Sequence, residues 1–249
     1  MPETKIFLDK NEKIYGMVEM AKVDRQPHSH YMKHIVFGLE GEMQCTVSGQ
    51  EICCGGIAIQ SEVSHSIHST GRVLLISVPE VSNIGKSMNR YLFKDREFVI
   101  FPEETVDAVR NYRFMDIPSG EWLEDLFSLF RVPVNEKFIK DERVLEVMER
   151  LESPEETEYR LADLAESVHL SEGRMSRLFH SEVGVTLKNY VLLLKLSKTF
   201  SYMLEGQNLT NACINAGFSG SAHFAYALHK WLGFTGRELK HYLDTVNYL

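Results

Sequence analysis

The sequence predicts an α+β protein: an N-terminal β-barrel, a helical linker, and an all-α C-terminal part in which two similar helix pairs are joined by one long helix. Three observations predict it. Up to about Pro79, short apolar runs alternate with turn signals. From about Gly85, apolar residues recur at helical spacing. Between residues 160 and 241 one helical pattern occurs twice. The chain's 249 residues, 44% of them hydrophobic, suffice for two domains of ordinary size. With only 16 Gly and 7 Pro it is neither collagen-like nor disordered.

The strand candidates are Ile35-Val36-Phe37, Met43 to Val47, Ile57-Ala58-Ile59 and Val73 to Val78. Glu40-Gly41-Glu42, Ser48-Gly49-Gln50 and Gly55-Gly56 separate them, and such close, even spacing suits a sandwich or barrel. Cys45, Cys53, Cys54 and Cys213 form no CxxC pair or zinc-ribbon spacing and read as buried thiols. Cys53 and Cys54, as neighbours, face opposite sides of a strand. No segment approaches the roughly 18 apolar residues of a membrane span, and Met1-Pro2-Glu3-Thr4-Lys5 opens no signal-peptide core. The expectation is a cytosolic protein with no membrane partner.

Glu121 to Arg131 sets Trp122, Leu126, Leu129 and Phe130 at helical spacing, widened by Leu123 and Phe127. So broad an apolar face needs a partner, either the β domain or a second copy of the chain. Asp141 is a natural N-cap for a helix with Val144, Met148 and Leu151 on one face. Ser153-Pro154 with Glu155, Glu156 and Glu158 makes a polar break. The expected divisions are residues 1–80 for the barrel, 81–137 for a helical linker and dimerisation region, and 138–249 for the C-terminal domain.

Leu161 to Val168 forms a short helix, and His169-Leu170-Ser171 a turn. A second helix follows from Glu172 to Ser181, with Ser171 as its N-cap and Met175, Leu178 and Phe179 facing inward. This is a helix-turn-helix. Ala165 then matches Cys213 and Leu170 matches Phe218 at 48 positions; Met175 matches Phe224 and Phe179 matches Leu228 at 49. The second unit therefore repeats the first with one residue added in the turn, at Gly217-Phe218-Ser219-Gly220. The connecting helix, Thr186 to Glu205 with Gly206 as C-cap, is about 30 Å long. Adjacent major grooves on one side of B-DNA are about 34 Å apart, so this rod can set two recognition helices in successive grooves.

Residues 160–241 resemble the DNA-binding domain of AraC/XylS-type transcription regulators. The resemblance rests on Leu-Ala-Asp-Leu-Ala at 161–165, Leu170-Ser171, Met-Ser-Arg-Leu-Phe at 175–179, Val183-Gly184-Val185-Thr186 and Tyr190. It continues through Ala216-Gly217-Phe218-Ser219, Ser221-Ala222-His223-Phe224 and Gly233-Phe234-Thr235. The chain departs from the family pattern at Gly236 (usually Pro), Lys195 (usually Arg), Tyr226 (often Arg) and Ala212-Cys213 (usually Ile-Ala). The resemblance implies DNA contacts from Gly173, Arg174, Ser176 and Arg177 on the first recognition helix, Arg177 being suited to guanine O6/N7 or a phosphate. On the second it implies Ser221, Ala222 and Tyr226, with His223 nearby, a set of small side chains suited to shape and backbone contacts. Lys188, Lys230, Arg237 and Lys240 are the expected phosphate contacts, with Met175, Phe179, Phe218, Phe224 and Leu228 in the core.

In the β region, His28, His30 and His34 share parity, so on a continuous strand they project to one face. His65 follows the Gly55-Gly56 turn. His28-Ser29-His30, His34 at a position commonly Glu, Leu39-Glu40-Gly41, a hairpin and then His65 resemble a cupin, and AraC-type regulators often carry such a sensing domain. His28, His30, His34 and His65 are accordingly a candidate site for Zn, Ni, Cu or Fe, with a metal-free histidine-lined pocket as the alternative. His68, three residues on from His65, faces solvent, and Glu40 and Glu42 belong to a solvated hairpin.

The formal net charge of −8 speaks against a nucleic-acid partner until it is divided. Residues 160–241 hold nine Lys/Arg and six Asp/Glu, a net +3, leaving −11 for the rest. So modest a positive charge implies binding that leans on dimerisation or a second site. The reading is a non-enzymatic, DNA-binding regulator whose cupin-like domain senses a small molecule or metal. Its expected partners are double-stranded DNA, a second copy of the chain, the effector and RNA polymerase. Two alternatives stand beside it: a metal-dependent cupin enzyme fused to a DNA-binding domain, and a ligand-independent regulator whose β domain only dimerises.

Overall fold

A computed structural model describes residues 5–8, 16–20, 23–112, 121–153, 159–236 and 238–239. Two compact units divide the chain: Met1–Glu136 together with His229–Leu249, and Lys137–Leu228. The residues from His229 onward group with the β unit, whereas the sequence reading kept 138–249 together.

The β unit holds two antiparallel sheets. Its strands are β1 (Lys5–Leu8), β2 (Gly16–Met20), β3 (Val23–His28), β4 (Met32–Gly38), β5 (Met43–Val47), β6 (Gln50–Cys54), β7 (Gly56–Ile59), β8 (His65–Ser69), β9 (Val73–Pro79) and β10 (Phe98–Ile100). One sheet runs β1-β2-β9-β4-β7-β10, the other β3-β8-β5-β6. The core between them is filled by Val36, Ile57, Ile59, Val73 and Leu75 from the first sheet and Met43, Cys45, Val47, Ile52, Cys54 and Ile67 from the second. Strand alternation buries Cys54 and exposes Cys53, against the expectation of a buried thiol there. His68 is exposed and faces Asp24, and exposed Glu40 pairs with Arg72.

Every residue of β4 is buried, because it is a central strand with both faces covered. Val36 points between the sheets, while Ile35 and Phe37 point to a helical layer. That layer contains α1 (Asn83–Ser87), a π-helical turn at Met88–Phe93, α2 (Glu103–Asn111) and α3 (Glu121–Leu129). The apolar stripe of α3 packs here. Leu123, Leu126, Phe127 and Phe130 join Phe37 and Phe101, with ring centroids of Phe37 and Phe130 5.7 Å apart. Of the two partners open to that stripe, the β domain is the one it meets. Lys33, fully buried on the same side, is ion-paired with Glu80 and bonded to Gln60, which makes a buried ammonium tolerable.

In the second unit α4 (Glu142–Glu152) starts at Asp141, whose side chain accepts the Arg143 N–H at 3.0 Å. Val144, Met148 and Leu151 are buried. Pro154, Glu155, Glu156 and Glu158 lie outside the described residues, as does the side chain of Trp122. The repeat then appears as α5 (Leu161–Ser167) and α6 (Glu172–Val183), α7 (Leu187–Leu204), and α8 (Leu209–Asn215) and α9 (Ser221–Leu232), of which residues up to Leu228 belong to this unit. The two turns close alike: Leu170 N–H donates to Ala165 O at 2.8 Å and Phe218 N–H to Cys213 O at 3.0 Å. Both need a left-handed residue, supplied by His169 (φ 55°) and, 48 positions on, Gly217 (φ 82°). Ser171 occupies the N-cap position of α6, but its side chain makes no capping bond. Leu178 is only half-buried beside buried Met175 and Phe179. The 18 residues of α7 give a rod of about 27 Å, slightly shorter than read from the sequence. Among the described residues no helix is long and apolar enough to cross a membrane.

Candidate functional site

On α6, Gly173, Arg174 and Arg177 are exposed and Ser176 half-buried, because buried Met175 and Phe179 fix which face turns inward. On α9, Ser221 and Ala222 are exposed, Tyr226 is 53% exposed, and Phe224 and Leu228 are buried. Ser176, His223, Thr186, Lys188 and Lys195 border one cleft of about 660 Å³, floored by Leu187, Val191 and Leu192. The second helices of both repeats thus flank a common concavity along α7. Lys188 is exposed there, while Lys195 donates to the Gly217 carbonyl at 2.6 Å and so braces the second turn. Half-buried His223 shares a contact with the Ser219 hydroxyl at 3.2 Å. Burial, then Lys195 and Lys188, hold its pKa below the ordinary value.

Lys230 lies with the β unit, its ammonium 5.4 Å from the Tyr31 ring centroid and its carbonyl accepting the Tyr31 N–H at 3.1 Å. That cation–π contact engages a side chain read as a phosphate ligand. Arg237 and Lys240 lie outside the described residues.

His28, His30, His34 and His65 come together in the β unit, with one ring nitrogen of each within 4.8 Å of all the others. They arrive from different elements. His28 ends β3 opposite His65 of β8. His34 lies on β4 opposite Ser77 of β9. His30 sits in the crossing from one sheet to the other. The parity expectation is corrected here: β3 and β4 are not one continuous strand, and the crossing, not a period of two, makes the rings converge.

Hydrogen bonds fix the tautomers. A carbonyl can only accept, so His28 Nδ1–H donates to Gln26 O at 2.8 Å and His65 Nδ1–H to Val63 O at 2.9 Å. A backbone N–H can only donate, so His30 Nδ1 accepts from Met32 N at 3.2 Å, and the proton of a neutral ring sits on Nε2. That proton points to His34 Nε2 at 2.8 Å, leaving His34 Nδ1–H to face Ser77 Oγ at 3.3 Å. Burial keeps the cluster neutral: it holds His30 and His34 well below the ordinary value, sets His65 at about 4, and lowers His28. His65 Nε2 is buried without a hydrogen-bond partner, a bare lone pair aimed into the cluster.

Three side chains that the sequence did not mark, Arg25, Leu232 and Phe234, line the cavity of about 20 Å³ beside these rings. Arg25 carried no motif, and Phe234 stood out only within the Gly233-Phe234-Thr235 match.

A helix-turn-helix domain family matches residues 164–241. A probable transcriptional regulator, LumQ of Photobacterium leiognathi, is 20% identical over 230 residues, covering 88% of this chain and 93% of its own. The bifunctional transcriptional activator and DNA repair enzyme Ada of Escherichia coli (strain K12) is 28% identical over 87 residues, 35% of this chain and 25% of that protein. A solved structure of unsaturated fatty acid bound wild-type ToxT from Vibrio cholerae strain SCE256 superposes at a TM-score of 0.53 with 10% identity, over 99% of this chain and 98% of that one. The paired helix-turn-helix units agree with the family match: residues 164–241 form a helix-turn-helix domain, and the chain as a whole, with its two-sheet β unit, is similar in fold to ToxT and in sequence to a probable transcriptional regulator.

Proposed function

We infer that the effector of this regulator is a single transition-metal ion held by His28, His30, His34 and His65, and that its loading changes how the protein binds DNA. The observation that carries this is the unpartnered, buried Nε2 of His65 among three other neutral imidazoles. His28 and His65 hold their Nδ1–H on carbonyls and His34 on a hydroxyl, the outer-shell arrangement that orients metal-binding histidines. His30 can join them only by moving its proton from Nε2 to Nδ1, at the expense of the Met32 bond. An all-nitrogen set suits Zn, Ni, Cu or Fe over Mg or Ca.

Size favours an ion over an organic effector at the histidines themselves. The cavity beside the histidines, about 20 Å³, has room for about one water-sized body. Drug-sized ligands need roughly 300 Å³ or more, and side chains of both sheets already fill the core between them. ToxT was solved with a fatty acid; here the described β interior favours the ion.

On DNA, Arg177 and Arg174 act as the principal base or phosphate contacts of α6, with Gly173 and Ser176 beside them. Ser221, Ala222, His223 and Tyr226 do so on α9, and Lys188 neutralises phosphate. Arg237 and Lys240 belong to the same proposal. The net +3 of residues 160–241 supports binding as a homodimer, acting on transcription through RNA polymerase. Elemental analysis and Zn²⁺, Ni²⁺, Cu²⁺ and Fe²⁺ titration of the full chain test the effector. One tightly bound ion per chain, lost in His65→Ala, is expected; wild-type protein that takes up none of the four rejects it.

A further inference from the structure

We propose that Gly233 and Arg25 close the histidine site, Gly233 as a lid laid on the imidazoles and Arg25 as its latch, so that a metal ion enters and leaves only when this lid lifts. The proposal rests on the metal reading above and extends it to residues outside the histidine set.

Gly233 follows the last turn of α9, its N–H donating to His229 O at 2.9 Å, and has φ 68°. Its backbone lies so close to the rings that an added Cβ would meet His30 Cδ2 and stand 2.6 Å from His28 Cδ2. Only glycine satisfies both the left-handed backbone and the close approach. Arg25 donates from Nη2 to the Gly233 carbonyl at 2.6 Å, and its guanidinium stands 4.5 Å from the Phe234 ring centroid. Glu238, 3.9 Å from the same guanidinium, adds a weak ion pair. Leu232 and Phe234 supply apolar wall to the cavity. All of these residues belong to the same compact unit as the histidines.

The lid is also the continuation of α9, the helix that carries Ser221, Ala222 and Tyr226. Its seating is therefore tied by chain continuity to the second helix-turn-helix unit, and the residence time of the ion becomes a property that helix can alter.

The test uses the full chain loaded with Zn²⁺ and measures release into excess chelator, together with hydrogen exchange of the amides of 229–236. Arg25→Met removes the latch while keeping most of the packing, and Gly233→Ala prevents seating. Both variants are expected to release Zn²⁺ at least about tenfold faster than wild type, the loss of one charge-assisted bond or more. The same amides are expected to exchange more slowly in Zn²⁺-loaded than in chelator-treated wild type. Wild-type protein that takes up none of Zn²⁺, Ni²⁺, Cu²⁺ and Fe²⁺ sinks the metal reading and the lid with it. Histidine-dependent Zn²⁺ binding with unchanged release in both variants, or with exchange at 229–236 insensitive to Zn²⁺, overturns the lid alone.

Discussion

His30 Nε2 donates its proton to His34 Nε2 across 2.8 Å, so these two residues of the cluster are hydrogen-bonded to each other while His65 Nε2 meets no partner. The four histidines are therefore not equivalent. Removing His65 deletes a lone pair already bare, whereas His30 must first give up two hydrogen bonds before it can ligate. His65→Ala is expected to weaken Zn²⁺ binding at least about tenfold more than His30→Ala, in the range by which neighbouring hydrogen bonds alter metal affinity. Competition with a chromogenic chelator measures both.

The proposed metal loading carries a stability effect. An ion bound only by the folded β unit at 100 times its Kd stabilises that unit by about 2.7 kcal/mol. Differential scanning calorimetry is expected to show a rise in Tm of wild type with Zn²⁺ and none in His65→Ala.

Arg177 is exposed on α6, with no part in the buried face formed by Met175 and Phe179. Arg177→Ala is expected to cost about 1–3 kcal/mol against a duplex selected from a random pool and to leave Tm unchanged. Fluorescence anisotropy and a thermal melt read the two. Operator affinity equal to wild type rejects Arg177 as a base contact.

Lys188 is exposed beside the cleft shared by α6 and α9, and the proposed role for it is a phosphate contact. Lys188→Ala is expected to weaken all duplexes alike and to lower the salt slope of log K by about 1. Discrimination between sequences should stay the same.

Phe127 is fully buried against the Phe37–Phe101–Phe130 cluster. Phe127→Ala is expected to destabilise the β unit by about 3–5 kcal/mol in urea unfolding followed by a probe on that unit. A change under about 1 kcal/mol contradicts the placement of α3 on the sheet.

Much of this was legible before the fold. The helix-turn-helix repeat was readable because helical periodicity is local, and the spacing of 48 then 49 marks the one-residue difference between the turns at His169 and Gly217. The histidine set was readable as a list, but not its geometry: parity holds along one strand, and the chain changes sheets between His28 and Met32. Strands β1, β2 and β10 gave no clear alternation, since Phe98–Ile100 is only three residues long and takes its strand form from pairing with β7. The lid was not readable. The Arg25–Gly233 bond joins residues 208 positions apart, and no local pattern encodes such a contact.

The most direct test of the whole account is the affinity of the full chain for its selected duplex, measured with the protein Zn²⁺-loaded and again after chelation. Coupling between the histidine site and DNA predicts a change of at least about fivefold in wild type, and none in His65→Ala. Equal affinity in the two wild-type states, with loading verified by elemental analysis, contradicts it.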